Sequence, residues 1–272
     1  MLALIVILLV TGTSPSARAA PAAEPVLTLS IGTETRRFTA AELRARPDAV
    51  ELTIPADVSY GRAMKYRAVP LLRLMSVAAE FDTLEARAAD GFVSQIPLAL
   101  VEKAKAGGAT AWIAIEDPLA PWPLLPGRNA SAGPFYLVWE SPERSAIGSE
   151  QWPYQLASVA EVESPAHRWP QMVVDASVSA NDLARRGQAV FTTQCLPCHQ
   201  MKGAGTGIVG PDLGRPMSPI EYLSATGLRS IIRDPKAVRT WPQQQMPAFN
   251  PTMLSDADLD AVIAYLAYMA AH

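Results

Sequence analysis

Two cysteines and a histidine stand together in the last third of the chain. Cys195 and Cys198 are separated by two residues, and His199 follows directly. Two thiols at this spacing reach two neighbouring edges of one porphyrin, while the imidazole of the next residue rises beneath its centre. In such a site both sulfurs bond the vinyl carbons of haem and the imidazole ligates the iron. The spacing therefore predicts one haem c, attached at Cys195 and Cys198 and ligated by His199.

Two other kinds of site use closely spaced cysteines. A structural zinc site needs about four ligands, and this chain has no further cysteine and only two other histidines, His167 and His272. A thioredoxin-like dithiol opens a helix after a strand, whereas the residues before Cys195 have a helical pattern. Both alternatives are therefore disfavoured. His167 lies in a segment that looks like an interdomain linker, and we expect it to be exposed rather than a ligand.

Two helices are expected to flank the CxxCH motif. The first begins after a polar cap at residues 180–182, and its apolar face consists of Leu183, Gly187, Val190 and Phe191. The second is capped by residues 255–258, and its apolar stripe consists of Leu259, Val262, Ile263 and Leu266. We expect the two helices to cross, with Gly187 admitting a large side chain such as Tyr265.

From Gly187 to the C-terminus the chain resembles the class I cytochrome c family. The matching segments are Gly187 to Phe191, Gly210-Pro211-Asp212-Leu213, Met246-Pro247 and the Tyr265-Leu266 helix. The resemblance implies an all-α domain in which Met246 is the second axial ligand of the iron. It also implies that the carbonyl of Pro211 receives the N–H of the His199 ring. A six-coordinate iron of this kind passes electrons and has no vacancy for substrate. Met253 is the next candidate for the second ligand.

Length and composition limit the number of domains and the kinds of partner that can be expected. The 272 residues favour two domains. A hydrophobic fraction of 49% with 18% charged residues is typical of a folded globular protein and excludes a largely disordered one. The formal net charge of −3, with scattered Lys and Arg, disfavours nucleic acid as a partner.

The first residues have the pattern of an export signal. An apolar run of about ten residues is too short to span a bilayer but suits a signal-peptide core. Ala17 and Ala19 have the small-x-small spacing of a cleavage site. We therefore predict a signal peptide at residues 1–19, a mature chain that begins near Ala20, and a periplasmic location. An uncleaved membrane anchor is the alternative.

The part of the chain before the linker shows both helical and strand-like patterns. These patterns predict an α+β domain. Thr39-Ala40-Ala41-Glu42 is a capping box that opens a short helix. Further helices are expected near residues 69–75 and 96–105, and the Pro-rich stretch 117–126 is expected to be a loop. Strands are predicted at residues 26–31, 50–54, 111–115, 135–139 and 157–162. The domain boundaries that follow are 25–163, a linker at 164–179, and 180–272.

The order of motifs in this first domain resembles the molybdopterin-binding domain of the sulfite oxidase family. The resemblance rests on five short segments, residues 38–43, 69–71, 89–92, 96–98 and 133–138. That family binds molybdenum through a cysteine thiolate, whereas both cysteines here are assigned to haem. The resemblance therefore implies a mixed sheet without molybdenum.

These observations favour an electron carrier over a catalyst. In the preferred hypothesis the haem exchanges electrons with redox partner proteins, and the first domain serves docking or assembly, as a subunit of a larger exported oxidoreductase would. In the alternative hypothesis the first domain binds a molybdopterin-type cofactor and passes electrons to the haem.

Overall fold

The computed structural model describes residues 24–75, 80–242 and 244–272, so the predicted signal peptide lies outside the described residues. Buried apolar side chains of these residues form two separate cores. One core draws on side chains from Leu27 to Val159, and the other on side chains from Met172 to Met269. We refer to the two parts as the N-terminal region and the C-terminal region.

The larger sheet of the N-terminal region has five strands in the order β2-β1-β9-β5-β6. β1 pairs in parallel with β9, and the other neighbours pair antiparallel. The strands are β1 (Val26–Ile31), β2 (Glu34–Thr39), β5 (Thr83–Ala88), β6 (Val93–Pro97) and β9 (Leu156–Val162).

The smaller sheet is antiparallel and has four strands in the order β3-β4-β7-β8. The strands are β3 (Val50–Ile54), β4 (Met64–Pro70), β7 (Thr110–Ile115) and β8 (Phe135–Glu140). Both sheets contribute to one core, for example through Leu29 of β1, Ile113 of β7 and Leu137 of β8. The mixed-sheet prediction for this region is confirmed.

Three short helices connect these strands: α1 (Ala40–Arg44), α2 (Leu71–Leu74) and α3 (Leu98–Glu102). The predicted capping box opens α1, because the Thr39 hydroxyl accepts from the Glu42 N–H at 3.2 Å and the Glu42 carboxylate accepts from the Thr39 N–H at 2.7 Å.

Two helix predictions in this region began too early. Pro70 and Pro97 each end a strand, and α2 and α3 begin only at the following residue. Proline fixes φ near −65° and has no N–H, so it suits the first position before a helix as well as a strand end. Residues 69 and 96, which were predicted to be helical, therefore belong to strands. Residues 103–106 form a separate 3₁₀ turn.

The C-terminal region is helical. Its two longest helices are α5 (Leu183–Gln194) and α9 (Asp256–Ala271), and three shorter helices lie between them: α6 (Pro219–Tyr222), α7 (Ala225–Arg233) and α8 (Pro235–Val238). Asp182 caps α5 by accepting from the Ala184 N–H at 2.8 Å. Leu183 was predicted on the apolar face, but it is 51% exposed. It is the first residue of the helix, where the chain has not yet reached the crossing with α9.

Helices α5 and α9 cross at Gly187. A Cβ at this position would lie 2.6 Å from the carbonyl carbon of Ala261 and 2.7 Å from the Cβ of Tyr265. The absence of a side chain therefore lets the two backbones approach closely. One turn further along α5, the Phe191 and Tyr265 rings pack with their centroids 5.1 Å apart, and both are fully buried.

The segment predicted as a linker contacts both regions. It begins with helix α4 (Pro165–Arg168), whose Arg168 forms an ion pair with Glu85 of β5 at 2.8 Å. Met172, which follows, is buried in the C-terminal core, and its carbonyl accepts from the Tyr265 hydroxyl at 2.7 Å. Among the helices of the described residues, none has the length and apolar character needed to cross a bilayer.

Candidate functional site

The end of α5 positions the two cysteines and the histidine. The helix ends at Gln194, and the N–H groups of Cys195 and Leu196 both bond the carbonyl of Phe191, at 2.9 and 2.8 Å. The chain then turns tightly, because the His199 N–H bonds the carbonyl of Cys195 at 2.8 Å. Leu196 points into the C-terminal core. Both cysteines line the same cavity as His199.

The ring of His199 is held by the loop that follows the motif. Its Nδ1 lies 2.8 Å from the carbonyl oxygen of Pro211. A carbonyl only accepts, so Nδ1 must carry the proton, and the neutral ring then presents the lone pair of Nε2. Burial lowers the pKa of His199, and the hydrogen bond to Pro211 opposes this effect. The ring is therefore arranged as a neutral ligand for a metal.

Gly210 allows this loop to lie against the imidazole. A Cβ at residue 210 would collide with the His199 ring, with Nε2 only 2.8 Å away. The Gly210 N–H also bonds the carbonyl of Cys198 at 2.8 Å. Only a residue without a side chain fits between the loop and the ring.

Asp212 ties the same loop to the residues after the motif. Its carboxylate accepts from the N–H groups of Lys202 at 2.9 Å, Gly203 at 2.6 Å and Gly214 at 2.8 Å. Charge-assisted bonds of this kind are stronger than neutral ones. The sequence showed Asp212 only as part of a matching segment, and its role in fixing the Pro211 carbonyl became visible only in the structure.

The cavity has a volume of about 370 Å³ and a largely apolar wall. Val209, Tyr222 and Trp241 line it although each is between 42% and 57% exposed. A large apolar group in the cavity would cover these side chains. Further wall residues come from α6, α7, α9 and the loop before α9, among them Leu223, Leu228, Ile232, Phe249 and Leu266.

Met246 lines this cavity, and the other methionines after the motif do not. Met201 and Met269 are buried in the core, Met217 is 50% exposed, and Met253 is half-buried outside the cavity wall. Met246 is half-buried and packs against the C-terminal core. The structure thus brings Cys195, Cys198, His199, Pro211 and Met246 to one cavity.

These residues fit a covalently bound haem. The wall supplies apolar contacts for a flat macrocycle, the two thiols supply the attachment points, and an imidazole and a thioether are the usual axial ligands of such an iron. Burial raises the pKa of both thiols to about 12, and the neighbouring Glu150 adds to the effect. Glu150 lines the cavity from the N-terminal region and was not identified from the sequence.

His167 and three acidic residues of the N-terminal region lie at the surface or have structural partners. His167 is exposed. Glu116 accepts from the Trp122 N–H at 2.8 Å, Asp117 pairs with Arg44 at 2.7 Å, and Glu140 accepts from the Trp112 indole at 3.2 Å. Across residues 24–75, 80–242 and 244–272, no cluster of three or more His, Cys, Asp or Glu side chains is arranged to hold a metal ion.

A buried carboxylate in the N-terminal region was also missed by the sequence analysis. Asp57 is 1% exposed and accepts hydrogen bonds from the Tyr66 hydroxyl at 2.8 Å and from the N–H groups of Ser59 and Tyr60 at 2.9 Å each. Burial raises its pKa despite these bonds. Since its acceptors are satisfied within the core, Asp57 joins the loop before β4 to the sheet.

Comparison with known proteins agrees with the site. Residues 184–270 match the family model described as cytochrome c. Comparison with curated proteins gives no match. The matched range contains the motif, the Pro211 loop, Met246 and most of α9. The C-terminal region of this chain is thus a cytochrome c domain, which binds haem c covalently and serves electron transfer.

Proposed function

We propose that this protein is an exported electron carrier with one haem, attached to Cys195 and Cys198 and ligated by His199 and Met246. The observation that carries the proposal is the single cavity lined by both thiols, the imidazole and the only cavity-lining methionine among the described residues that follow the motif. One cytochrome c domain accounts for one haem.

The residues that line the cavity determine how this carrier would exchange electrons. When bound, the haem supplies a one-electron exchange between ferric and ferrous iron. His199 is oriented by Pro211, and the soft thioether of Met246 favours a higher reduction potential than a second imidazole would. His199 and Met246 would together hold the iron, and no position would then be left for substrate. The largely apolar wall would limit the contact of water with a bound haem, so little solvent would reorganise when the charge of the iron changes.

We propose that the N-terminal region serves docking or assembly with redox partner proteins, as part of a larger exported oxidoreductase. Its mixed sheet is compatible with the resemblance to the sulfite oxidase-type domain, but it contains no cysteine to bind molybdenum. The second candidate function is an enzyme in which this region binds a molybdopterin-type cofactor. Metal analysis of protein made in a haem-competent host separates the two. One iron and no molybdenum supports the carrier, and stoichiometric molybdenum supports the enzyme.

The test of the axial ligand is Met246→Ala, with Met253→Ala as its matched control. Met246→Ala should lose the low-spin absorption spectrum and change the reduction potential, because the thioether is removed from the cavity. Met253→Ala should leave both unchanged, since Met253 lies outside the cavity wall. An unchanged spectrum in Met246→Ala, or a loss in Met253→Ala, contradicts the assignment.

Export is tested separately. Periplasmic and cytoplasmic fractions of the expressing host are compared, and the N-terminus of the purified protein is sequenced. Recovery in the periplasm with a first residue near Ala20 supports the signal peptide at residues 1–19. Membrane-bound protein that retains Met1 supports the anchor instead.

A further inference from the structure

We propose that Glu150, a residue of the N-terminal region, is part of the haem environment and that its carboxylate lowers the reduction potential of the haem. The inference rests on the proposed carrier function. It gives the N-terminal region a direct effect on electron transfer, in addition to docking or assembly.

The turn that carries Glu150 lies close to the residue before the attachment site. Residues Ser149–Gln151 form a 3₁₀ turn after β8. Gly148, just before this turn, lies against the side chain of Gln194, the last residue of α5 before Cys195. A Cβ at Gly148 would collide with the amide group of Gln194, so the backbone of the N-terminal region directly touches the residue next to the attachment site.

Hydrogen bonds to buried side chains hold this turn in place. The Trp139 indole N–H donates to the carbonyl oxygen of Gln151 at 2.8 Å, which ties the turn to β8. The Gly148 N–H donates to the Gln151 side chain at 2.9 Å. Gln151 is 1% exposed and Trp139 is fully buried. Glu150 is therefore presented to the cavity by a buried support and not by a free loop.

The carboxylate of Glu150 belongs to a side chain at the cavity wall. Glu150 is half-buried and lines the cavity together with Cys195, Cys198 and His199. Within the described part of the chain, its hydrogen-bond partner is the hydroxyl of Ser149, at 3.3 Å, and no basic side chain forms an ion pair with it. Burial raises the pKa of Glu150 to about 7, an effect only partly offset by Ser149.

The charge of Glu150 lies next to the haem site. Its side chain lines the same cavity as Cys195, Cys198 and His199, so the carboxylate lies at the wall of the space that the macrocycle would fill. A negative charge that is not neutralised by a partner stabilises the more positive, ferric form of a nearby iron, and its effect is larger away from water. Removal of the charge should therefore raise the potential.

The experiment compares the midpoint potentials of the holoprotein and four variants at low ionic strength and about pH 8.5, where a carboxyl with a pKa near 7 is ionised. Glu150→Gln and Glu150→Ala both remove the charge, so the comparison survives if one of them fails to fold. Glu150→Asp keeps the charge. Glu143→Gln is the matched control, because it removes the same charge from an exposed side chain in the turn before Ser149.

We expect the equilibrium constant for reduction to rise about threefold to tenfold in Glu150→Gln and Glu150→Ala. This corresponds to a positive shift of roughly 30 to 60 mV at about 59 mV per tenfold for one electron. Glu150→Asp should stay near wild type, and Glu143→Gln should not shift. Equal shifts in Glu150→Gln and Glu143→Gln, or no shift in either neutral variant at residue 150, would overturn the inference. Absence of covalent haem from wild type would instead refute the proposed function.

Discussion

The crossing of α5 and α9 makes Gly187→Ala the most informative stability variant of the cytochrome c domain. The new Cβ would lie 2.6 Å from the carbonyl carbon of Ala261 and 2.7 Å from the Cβ of Tyr265. Carbon atoms pack favourably at about 3.5–4.0 Å, so the helices must separate by about 1 Å. The neighbouring atom is backbone, so no rotamer change of a side chain can relieve the contact.

The expected cost follows from two opposing effects. Overpacking of a buried contact costs about 1–3 kcal/mol or more, and the rigid backbone at Ala261 places this variant at the upper end. Alanine offsets about 1 kcal/mol of this cost, because it is the better helix former. We therefore expect a net loss of about 2 kcal/mol in the free energy of unfolding, equivalent to a fall in melting temperature of roughly 8–16 °C for a domain of fewer than 100 residues.

The assay is urea unfolding followed by circular dichroism, together with the haem absorption of the holoprotein. Gly227→Ala in α7 is the control, because its Cβ would meet only the Ser224 hydroxyl, at 3.2 Å. This control should be neutral or stabilising by up to about 1 kcal/mol through helix propensity. If Gly187→Ala is as stable as wild type, the close approach of α5 and α9 described here is wrong.

Two further predictions concern charged side chains. Asp212→Asn should destabilise the domain by about 1–3 kcal/mol in urea unfolding, because an amide cannot accept from all three N–H groups now bonded to the carboxylate. Unchanged stability would contradict the role of Asp212 in holding this loop. Burial opposes the ionisation of Glu85, but hydrogen bonds from Arg168 and Gln95 outweigh this effect and lower the pKa of its carboxyl. The ionised carboxylate therefore stabilises the fold above the unfolded pKa of about 4.3, and this stabilisation is lost as the pH falls below that value. Glu85→Gln should therefore reduce the unfolding free energy at pH 7 and flatten its decline between about pH 5 and 3; an unaltered pH profile would argue against the Glu85–Arg168 pair.

Local patterns in the sequence were sufficient for the elements that depend on nearby residues. Strands β1 and β3 have the predicted bounds, and the capping box at Thr39 opens a helix as expected. The CxxCH motif is also local, since all of its chemistry lies within five residues. These features could be predicted because their periodicity and spacing are carried by one short segment.

The crossing of α5 and α9 at Gly187 was predicted, but other features that depend on tertiary contacts were not. β2, with the sequence ETRRFT, buries only Phe38 and carries charges on both faces, so alternation did not reveal it. Glu85 lies within a buried strand because Arg168, from a distant segment, neutralises it. Glu150 reaches the haem cavity through packing between residues that are far apart in the chain. No pattern within a short window records such a contact.

The central claim is that one haem is bonded to Cys195 and Cys198. It is tested most directly by intact mass spectrometry, under denaturing conditions, of protein made in a host that attaches haem. We predict that wild type retains the mass of one haem and that the double variant Cys195→Ala/Cys198→Ala retains none. A wild-type chain that loses all haem on denaturation, or a double variant that keeps it, would contradict the account.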